Sequence, residues 1–298
     1  MEDVADAIDR LAFGAGRGEP AAGSAPAFRR ILVALDASET SRAAMRWAIA
    51  LAREFQAPVV AAHALPPPYT QIYDVAYGQA WPLASEYEAV KTAGRRLLDA
   101  GVVELRAAGV EAEGVLPVGS APREIARVAD AQRADLVILG SHGRGPAGRA
   151  LLGSVSDGVR NRTRASVLIA RGDPPPRSVL AGVDGSRASR DAARLALRLA
   201  KGWGVPATLA HAIEPLEPGF LLDEATLSAM DLPAPRPGVA FARRSGPAGR
   251  VLAQMARESG AGLVVVGARG FGASSVMGST ASALCHQSTA SVLVHRGP

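Results

Sequence analysis

The sequence predicts an α/β fold made of two tandem doubly wound domains, each built on a five-stranded parallel sheet. Three observations lead to this prediction. Short, continuous apolar runs alternate with segments of helical periodicity, a glycine-rich turn follows one of the runs, and the whole pattern restarts in the second half of the chain. Continuous runs indicate strands that are buried on both faces, as in parallel sheets. With 298 residues, 48% of them hydrophobic, the chain can build two such cores.

The first domain is predicted to span residues 28–172, after a flexible extension of residues 1–27 whose glycines and prolines leave little to bury. Strands and helices that alternate at the observed spacing form a doubly wound sheet. The predicted strands are residues 31–35, 58–65, 110–118, 136–139 and 166–170, and the predicted helices are residues 38–55, 85–108, 123–132 and 154–163. The predicted inner stripe of the first helix is Ala44, Trp47, Ala48 and Leu51.

A second, shortened copy of this pattern is predicted over residues 178–298, after a proline-rich linker of residues 173–177. The apolar run that ends at Asp184 matches the run that ends at Asp36, 148 residues earlier. Such a constant offset between equivalent elements indicates a tandem duplication.

The copy is shorter between its second and fourth strands. Gly267 follows its counterpart Gly140 by 127 residues rather than 148, so 21 residues are missing. The interval is rich in proline, which does not fit the interior of a helix. We therefore expect the second helix of the second domain to be reduced or missing.

Composition predicts a soluble cytoplasmic protein without a membrane partner. No apolar run is long enough to span a bilayer, and the acidic residues 1–6 differ from the basic start of a signal peptide. The single cysteine, Cys285, excludes an intramolecular disulfide and fits a reducing compartment. Its apolar neighbours favour a buried, inert thiol over a reactive one.

The net charge of +5 and the pI of about 10.0 raise the question of nucleic acid binding. Only 4% of the residues are aromatic and none lies within the densest arginine cluster, so a surface on which bases stack is missing and no nucleic acid partner is expected. The cluster is either a solvated surface or a local contact to phosphates or to another subunit. Its members are Arg144, Arg149, Arg160, Arg162, Arg164, Arg171 and Arg177.

A glycine-rich turn after the fourth predicted strand carries the functional prediction. Gly140 ends the strand, Gly143 follows in the turn, and Gly153 and Ser154 stand at the predicted start of the next helix. Glycine lets the backbone approach a ligand closely, and a helix start offers N–H groups and partial positive charge to an anion. Ordinary turn chemistry is the alternative, but the full spacing favours an anion site. His142 lies inside the turn, where it can touch phosphate.

Asp36 directly follows the first strand, and ligands of open parallel sheets bind outside the carboxyl ends of the strands. Its carboxylate can accept a hydrogen bond from a ribose hydroxyl or an amino group. Alternatively, it caps the helix that begins near Ser38. His63 and its counterpart His211 end the second strands and are either structural or ligand-lining.

Other chemistries fit the sequence poorly. Residues 143–148 match G-x-G-x-x-G, but they lie in the fourth turn rather than the first and contain Pro146, so no dinucleotide site is predicted. The phosphate-binding motif G-x-x-x-x-G-K-[ST] is absent from the sequence. The five histidines lack partners at metal-ligand spacing, so no metal site is predicted. No nucleophile–base pair is evident, and no catalytic residue is assigned.

The combination resembles tandem members of the universal stress protein family over residues 28–298. Gly140, Gly143, Gly153 and Ser154 fit the family signature of G-x-x-G, nine residues and G-[ST]. An Asp-x-Ser after the first strand and a His-Ala at the end of the second strengthen the resemblance. It implies a Rossmann-like fold of the adenine nucleotide alpha hydrolase-like kind. It also implies the binding of ATP, ADP or AMP, which many but not all members show, with Mg²⁺ as a companion of the phosphates.

By position, the resemblance places a nucleotide mainly in the first domain. Asp36 would lie near the adenosine, Ala64 and Leu139 beside the base, Gly140, His142 and Gly143 along the ribose and phosphates, and Gly153, Ser154 and Val155 at the phosphates. The matching residues of the second domain are Asp184, Ala212, Gly267, Arg269, Gly270, Gly278, Ser279 and Thr280. There, seven residues rather than nine separate the second glycine from the third, so this domain departs from the signature.

The resemblance thus implies a stress-response regulatory protein in which the nucleotide modulates conformation or assembly. A nucleotide-free dimerising scaffold and a slow ATPase are the alternatives. In similar proteins the last strands pair across a domain or subunit contact. Residues 167–169 and 292–294 are therefore expected to mediate domain pairing or a homodimer.

Overall fold

The computed structural model describes residues 27–68, 84–141, 152–213, 238–268 and 278–297. The chain divides into two compact units, Phe28–Arg171 and Gly172–Pro298, here called the first and the second domain. The N-terminal extension lies outside the described residues except for its last one. The interval in which a helix of the second domain is expected to be missing falls on residues 214–237, which are also outside.

The first domain contains the predicted parallel sheet of five strands in the order β3-β2-β1-β4-β5, and neighbouring strands are parallel throughout. This confirms the predicted fold class. Its elements are β1 (Ile31–Ala34), α1 (Glu39–Phe55), β2 (Val59–Ala62), α2 (Ala84–Ala107), β3 (Ala112–Val115), α3 (Ala121–Ala131), β4 (Leu136–Gly140), α4 (Ser154–Arg160) and β5 (Ser166–Ala170).

The core of this domain lies where the apolar runs place it. Strands β2 and β5 are buried at every position, and α1 packs over the sheet with its predicted stripe inward. Ala44, Trp47, Ala48 and Leu51 are all 1% exposed or less. The stripe is buried because it recurs at the helical period on the face that meets the sheet.

The predicted ends of several elements were wrong by a few residues. β2 ends at Ala62, and beyond it only Leu65 still forms a bridge, to Val118. β3 is limited to Ala112–Val115, and α3 begins two residues before its predicted start because Pro122 fits the first turn of a helix. Apolar composition alone does not show where regular strand geometry ends, and beyond β2 the N–H groups of His63 and Leu65 still donate to the carbonyls of Val115 and Pro117.

The second domain repeats the sheet in the order β8-β7-β6-β9-β10, again with parallel neighbours throughout. The tandem repeat is therefore confirmed in the architecture. Its described elements are β6 (Val179–Gly182), α5 (Arg187–Trp203), β7 (Ala207–Ile213), β8 (Val239–Ser245), α6 (Ala248–Ser259), β9 (Leu263–Gly267), α7 (Ser279–Gln287) and β10 (Ser291–His295).

The sheet face that α2 covers in the first domain differs in the second. Gly114 of β3 has no side chain, and a Cβ atom there would lie 3.1 Å from both Leu98 and Val102 of α2. Phe241 of β8 takes the same place in the register, opposite Leu209. The second domain thus carries a large side chain at the position where the first domain has none. The reduced or missing helix falls on residues 214–237, outside the described part of the chain, and stays a prediction.

Two further expectations concern burial and membranes. Cys285 lies fully buried in α7, as its apolar neighbours predicted. Among the helices described here, none is both long and apolar enough to cross a membrane.

Candidate site at the carboxyl ends of the strands

The candidate site lies at the carboxyl edge of the first sheet, between β1 and β4. From β1 the chain proceeds to β2 and β3 on one side, whereas β4 pairs with the other side of β1. Such a reversal of strand order opens a crevice at the carboxyl ends. Asp36 follows β1 and Gly140 ends β4, so the structure brings these two predicted residues to neighbouring strand ends.

The turn after β1 shows that one of the two interpretations of Asp36, as the cap of α1, is wrong. Ser38, not Asp36, is the N-cap of α1, since its side chain accepts a hydrogen bond from the Ser41 N–H at 3.2 Å. Asp36 Oδ1 accepts from the Ser38 N–H at 2.9 Å and from the Ser38 hydroxyl. The other carboxylate oxygen, Oδ2, accepts no hydrogen bond from the described residues and remains available to a ligand.

The peptide bond between Leu35 and Asp36 is held on both sides. His63 Nδ1 lies 2.8 Å from the Leu35 carbonyl oxygen, and the Asp36 N–H donates to Ser41 Oγ at 2.9 Å. Sequence reasoning missed Ser41, although the spacing Asp-x-Ser-x-x-Ser recurs at Asp184 and could have indicated it.

Gly140 is required by packing. A Cβ atom at this position would lie 2.6 Å from Thr40 Oγ1 and 2.9 Å from the Thr40 carbonyl carbon in the first turn of α1. The Gly140 carbonyl accepts a hydrogen bond from the Ser156 hydroxyl at 2.6 Å. The close backbone approach predicted for this glycine is therefore made to the protein's own helix. Thr40 and Ser156 carry no sequence signal that would have identified them.

The start of α4 presents hydrogen-bond donors. Gly153 is the N-cap with no side-chain cap, and its N–H donates to the Ser141 carbonyl at 2.8 Å, which ties α4 to the end of β4. The next three N–H groups, of Ser154, Val155 and Ser156, reach no acceptor within the described parts of the chain. The first turn of a helix leaves such groups without intrahelical partners, and they favour an anion.

The second domain repeats the turn after its first strand. Asp184 Oδ1 accepts from the Ser186 N–H at 2.9 Å, and Ser186 caps α5. His211 Nδ1 lies 2.7 Å from the Val183 carbonyl, and the Asp184 N–H donates to Ser189 Oγ at 3.2 Å. The predicted equivalence of the two strand ends extends to individual hydrogen bonds.

The glycines of the second domain also repeat their roles. A Cβ atom on Gly267 would lie 2.8 Å from the carbonyl carbon of Ala188 in α5. Gly278 caps α7 and donates to the Ala268 carbonyl at 2.7 Å. Its helix start therefore parallels that of α4, with Ser279 and Thr280 in the first turn.

Three differences separate the two sites. The first difference is the length of the turn between its two hydrogen-bonded ends. Eleven residues lie between these ends in the first domain, residues 142–152, and nine in the second, residues 269–277. Ala281 stands where the first domain has Ser156, so no hydroxyl from this position reaches the Gly267 carbonyl. His295 ends β10 beside Gly267, whereas Ala170 stands beside Gly140.

Burial lowers the pKa of His295 below its ordinary value of 6.5, and the nearby Asp191 carboxylate opposes the shift only in part. The imidazole side chain is only 8% exposed. The folded second domain therefore favours the neutral form of this histidine.

The remaining predicted site residues differ in burial and in position. Ala64 lies half-buried after β2, and Leu139 is 1% exposed in β4, which leaves only its backbone for a ligand. Ala212 lies within β7 and pairs with Arg244. Four predicted site residues lie outside the described parts of the chain: His142, Gly143, Arg269 and Gly270.

The arginine cluster is not uniformly solvated. Arg160 is 3% exposed and forms an ion pair with Asp157, whereas Arg162, Arg164 and Arg177 are exposed. A charged group so deep in the protein requires a partner, which Asp157 supplies. Within the described residues, no three His, Cys, Asp or Glu side chains are grouped to hold a metal ion.

Comparison with known proteins identifies the family. The model of the universal stress protein family matches residues 27–171 and again residues 176–296. Universal stress protein Rv2005c of Mycobacterium tuberculosis is 31% identical over 297 aligned positions, covering 89% of this chain and 96% of that protein. The crystal structure of a universal stress protein from Archaeoglobus fulgidus superposes with a TM-score of 0.65 at 20% identity, covering 90% of this chain and 98% of that one. The chain belongs to the universal stress protein family and contains two of its domains in tandem.

Proposed function

We propose that this protein is a stress-response regulator that binds ATP or AMP, mainly in its first domain, and that the nucleotide modulates conformation or assembly. One observation carries the proposal. At a single edge of the first sheet, Asp36 Oδ2 and the N–H groups at the start of α4 lack protein partners within the described residues. An acceptor and a set of donors at one crevice suit the two ends of an adenine nucleotide.

Each group has a defined role in this proposal. Asp36 Oδ2 accepts a hydrogen bond from a ribose hydroxyl or the adenine amino group, while its Oδ1 stays in the turn with Ser38. The N–H groups of Ser154 and Val155 donate to phosphate oxygens, and the partial positive charge of the helix start adds to the attraction. A Mg²⁺ ion would be held chiefly by the phosphates themselves, since Mg²⁺ keeps several waters and needs few protein ligands.

The first domain is favoured over the second for structural reasons. Its turn is two residues longer and keeps the nine-residue interval of the family signature. The Ser156 hydroxyl anchors the end of β4 to α4, and the second domain lacks this anchor because Ala281 replaces the serine. The phosphate-binding segment of the first domain is therefore tied at both ends.

Calorimetric titration of the full chain with ATP and AMP tests the proposal. Wild type should bind, and Asp36→Asn should weaken binding about tenfold or more, since a hydrogen bond to a charged group contributes about 1.5–3 kcal/mol. Asparagine keeps the Oδ1 acceptor of the turn and changes only the group at Oδ2. The matched variant Asp184→Asn should change the affinity less than about twofold.

A second variant probes the donors. Proline is tolerated at the first position of a helix, so Ser154→Pro removes one N–H without breaking α4, and the Gly153 ψ of 148° suits a following proline. We expect a loss of about tenfold in affinity for ATP, with no change for Ser279→Pro in α7. Absence of binding by wild type would leave the nucleotide-free scaffold as the function. Phosphate release from bound ATP would instead indicate the slow ATPase.

A further inference from the structure

We propose that His63 is a positioning residue for the nucleotide site: by donating from Nδ1 to the Leu35 carbonyl, it fixes the peptide that carries Asp36 and thereby aims the carboxylate at the ligand. The inference rests on the proposed function and deepens it, because it assigns a role to a side chain that does not itself touch the nucleotide.

The hydrogen bonds around Asp36 support this role. The Leu35–Asp36 peptide unit has two polar atoms, and both are held: the carbonyl oxygen by His63 at 2.8 Å and the N–H by Ser41 Oγ at 2.9 Å. A peptide is planar, so fixing both atoms fixes the direction of the Asp36 Cα. The Oδ1 bonds to Ser38 then restrict the side-chain torsions, and Oδ2 accepts no hydrogen bond from the described residues.

The geometry also determines the tautomer of His63. A carbonyl oxygen only accepts, so Nδ1 must carry the proton in the neutral imidazole and Nε2 must be the bare nitrogen. The Nδ1–H group is therefore the donor that holds the Leu35 carbonyl.

The opposite edge of the ring packs against α2. A Cβ atom on Gly94 would lie 2.6 Å from Leu65 Cδ2, 3.0 Å from His63 Cδ2 and 3.3 Å from His63 Nε2, so glycine at this position lets the helix approach both side chains. The ring is thus held between the Leu35 carbonyl on one side and α2 on the other. An imidazole with both edges in contact with protein is suited to orient its neighbour rather than to contact a nucleotide.

The second domain has the same two hydrogen bonds to the peptide that precedes its aspartate. His211 Nδ1 holds the Val183 carbonyl at 2.7 Å, and Ser189 Oγ accepts from the Asp184 N–H at 3.2 Å. His211 therefore provides a matched control: it makes the same hydrogen bond in the domain to which we assign no strong nucleotide site.

The test is a double-mutant cycle on ATP affinity in the full chain. We expect His63→Leu to weaken ATP binding about tenfold in the wild-type background. In the background of Asp36→Ala the loss should be less than twofold, because no carboxylate is left for the His63 hydrogen bond to orient. Equal losses in both backgrounds would show a merely structural role and overturn the inference. Asparagine can place an amide N–H near the position of Nδ1, so His63→Asn should bind within about threefold of wild type.

Controls separate folding from positioning. His211→Leu should leave the ATP affinity unchanged, and a loss as large as that of His63→Leu would contradict the proposal. Should His63→Leu not fold, as judged by circular dichroism, His63→Ala removes the ring without adding a larger group and enters the same cycle. Long-range ¹H–¹⁵N NMR of the wild type should report the Nδ1–H tautomer for neutral His63. The Nε2–H tautomer would refute the hydrogen bond from Nδ1 to the Leu35 carbonyl.

The outcomes also distinguish this inference from the function on which it rests. If wild type binds no adenine nucleotide, the proposed function fails and the inference fails with it. If wild type binds and Asp36→Ala weakens binding, but the cycle is additive, the nucleotide site stands and only the role of His63 is rejected.

Discussion

The two domains share the turn after their first strand and differ in what surrounds it. In both, an aspartate follows the strand and a serine two residues later caps the helix. A histidine in or directly after the next strand lies within hydrogen-bonding distance of the carbonyl before the aspartate. The glycine that ends the fourth strand meets the first helix in both domains. The glycine on one sheet face is replaced by Phe241, and neither the Ser156 hydroxyl nor the length of the glycine-rich turn recurs. Strand-end geometry is thus retained where helix and sheet must meet, while the features assigned to ligand binding vary.

The largest expected effect comes from exchanging the side chains on the sheet face. Gly114→Phe should destabilise the first domain by about 3 kcal/mol or more, since a Cβ alone already reaches 3.1 Å from Leu98 and Val102. Hydrogen exchange of amides in β3 and α2 measures the loss within the full chain. The control is Phe241→Leu in the second domain, for which we expect about 1 kcal/mol. Similar losses would contradict the idea that only the first domain needs this space.

The glycines that end β4 and β9 should be equally intolerant. Gly140→Ala and Gly267→Ala each place a methyl group within 2.9 Å of helix backbone, so we expect each to cost about 2 kcal/mol in the free energy of unfolding of its own domain. Urea unfolding followed by domain-resolved hydrogen exchange measures both. If only Gly140→Ala were costly, the shared packing role would be wrong.

The hydroxyl that distinguishes the first site should have a moderate effect. Ser156→Ala leaves the half-buried Gly140 carbonyl without its 2.6 Å donor, so we expect a loss of about 1–2 kcal/mol in stability together with weaker ATP binding. Unfolding and calorimetry on the same variant separate the two consequences. The reverse change, Ala281→Ser, should alter the stability of the second domain by less than about 1 kcal/mol.

The smallest effect is a pH dependence confined to the second domain. Because the pKa of His295 is lowered on folding, the unfolded chain binds the proton first, and stability present above pH 6.5 is lost as the pH falls below that value. The slope cannot exceed about 1.4 kcal/mol per pH unit for one group. His295→Ala should remove this dependence between pH 7 and pH 5, as urea unfolding would measure. Asp191→Asn should strengthen it, since this carboxylate favours the charged imidazole.

Much of the candidate site could be predicted because its residues stand at strand ends and helix starts, which neighbouring residues in the sequence encode. Asp36, Gly153 and Ser154 follow a strand or begin a helix, and these boundaries are encoded in nearby residues. The wrong strand ends show the limit: residues 58–65 were predicted to form one strand, yet β2 stops at Ala62. Where a ladder ends depends on the neighbouring strand, which a single segment does not encode.

By itself, the sequence determined the two parallel sheets, the tandem repeat and the strand ends at which the candidate site is proposed. Buried parallel strands must be continuously apolar, and a duplication preserves spacing, so both leave a direct trace in the order of residues. Only the tertiary structure decided that Ser38 rather than Asp36 caps α1, that Gly140 meets Thr40, and that His63 holds the peptide before Asp36. These contacts join residues up to 100 positions apart through strand order and helix packing, and side-chain chemistry alone does not select one hydrogen-bond partner among many.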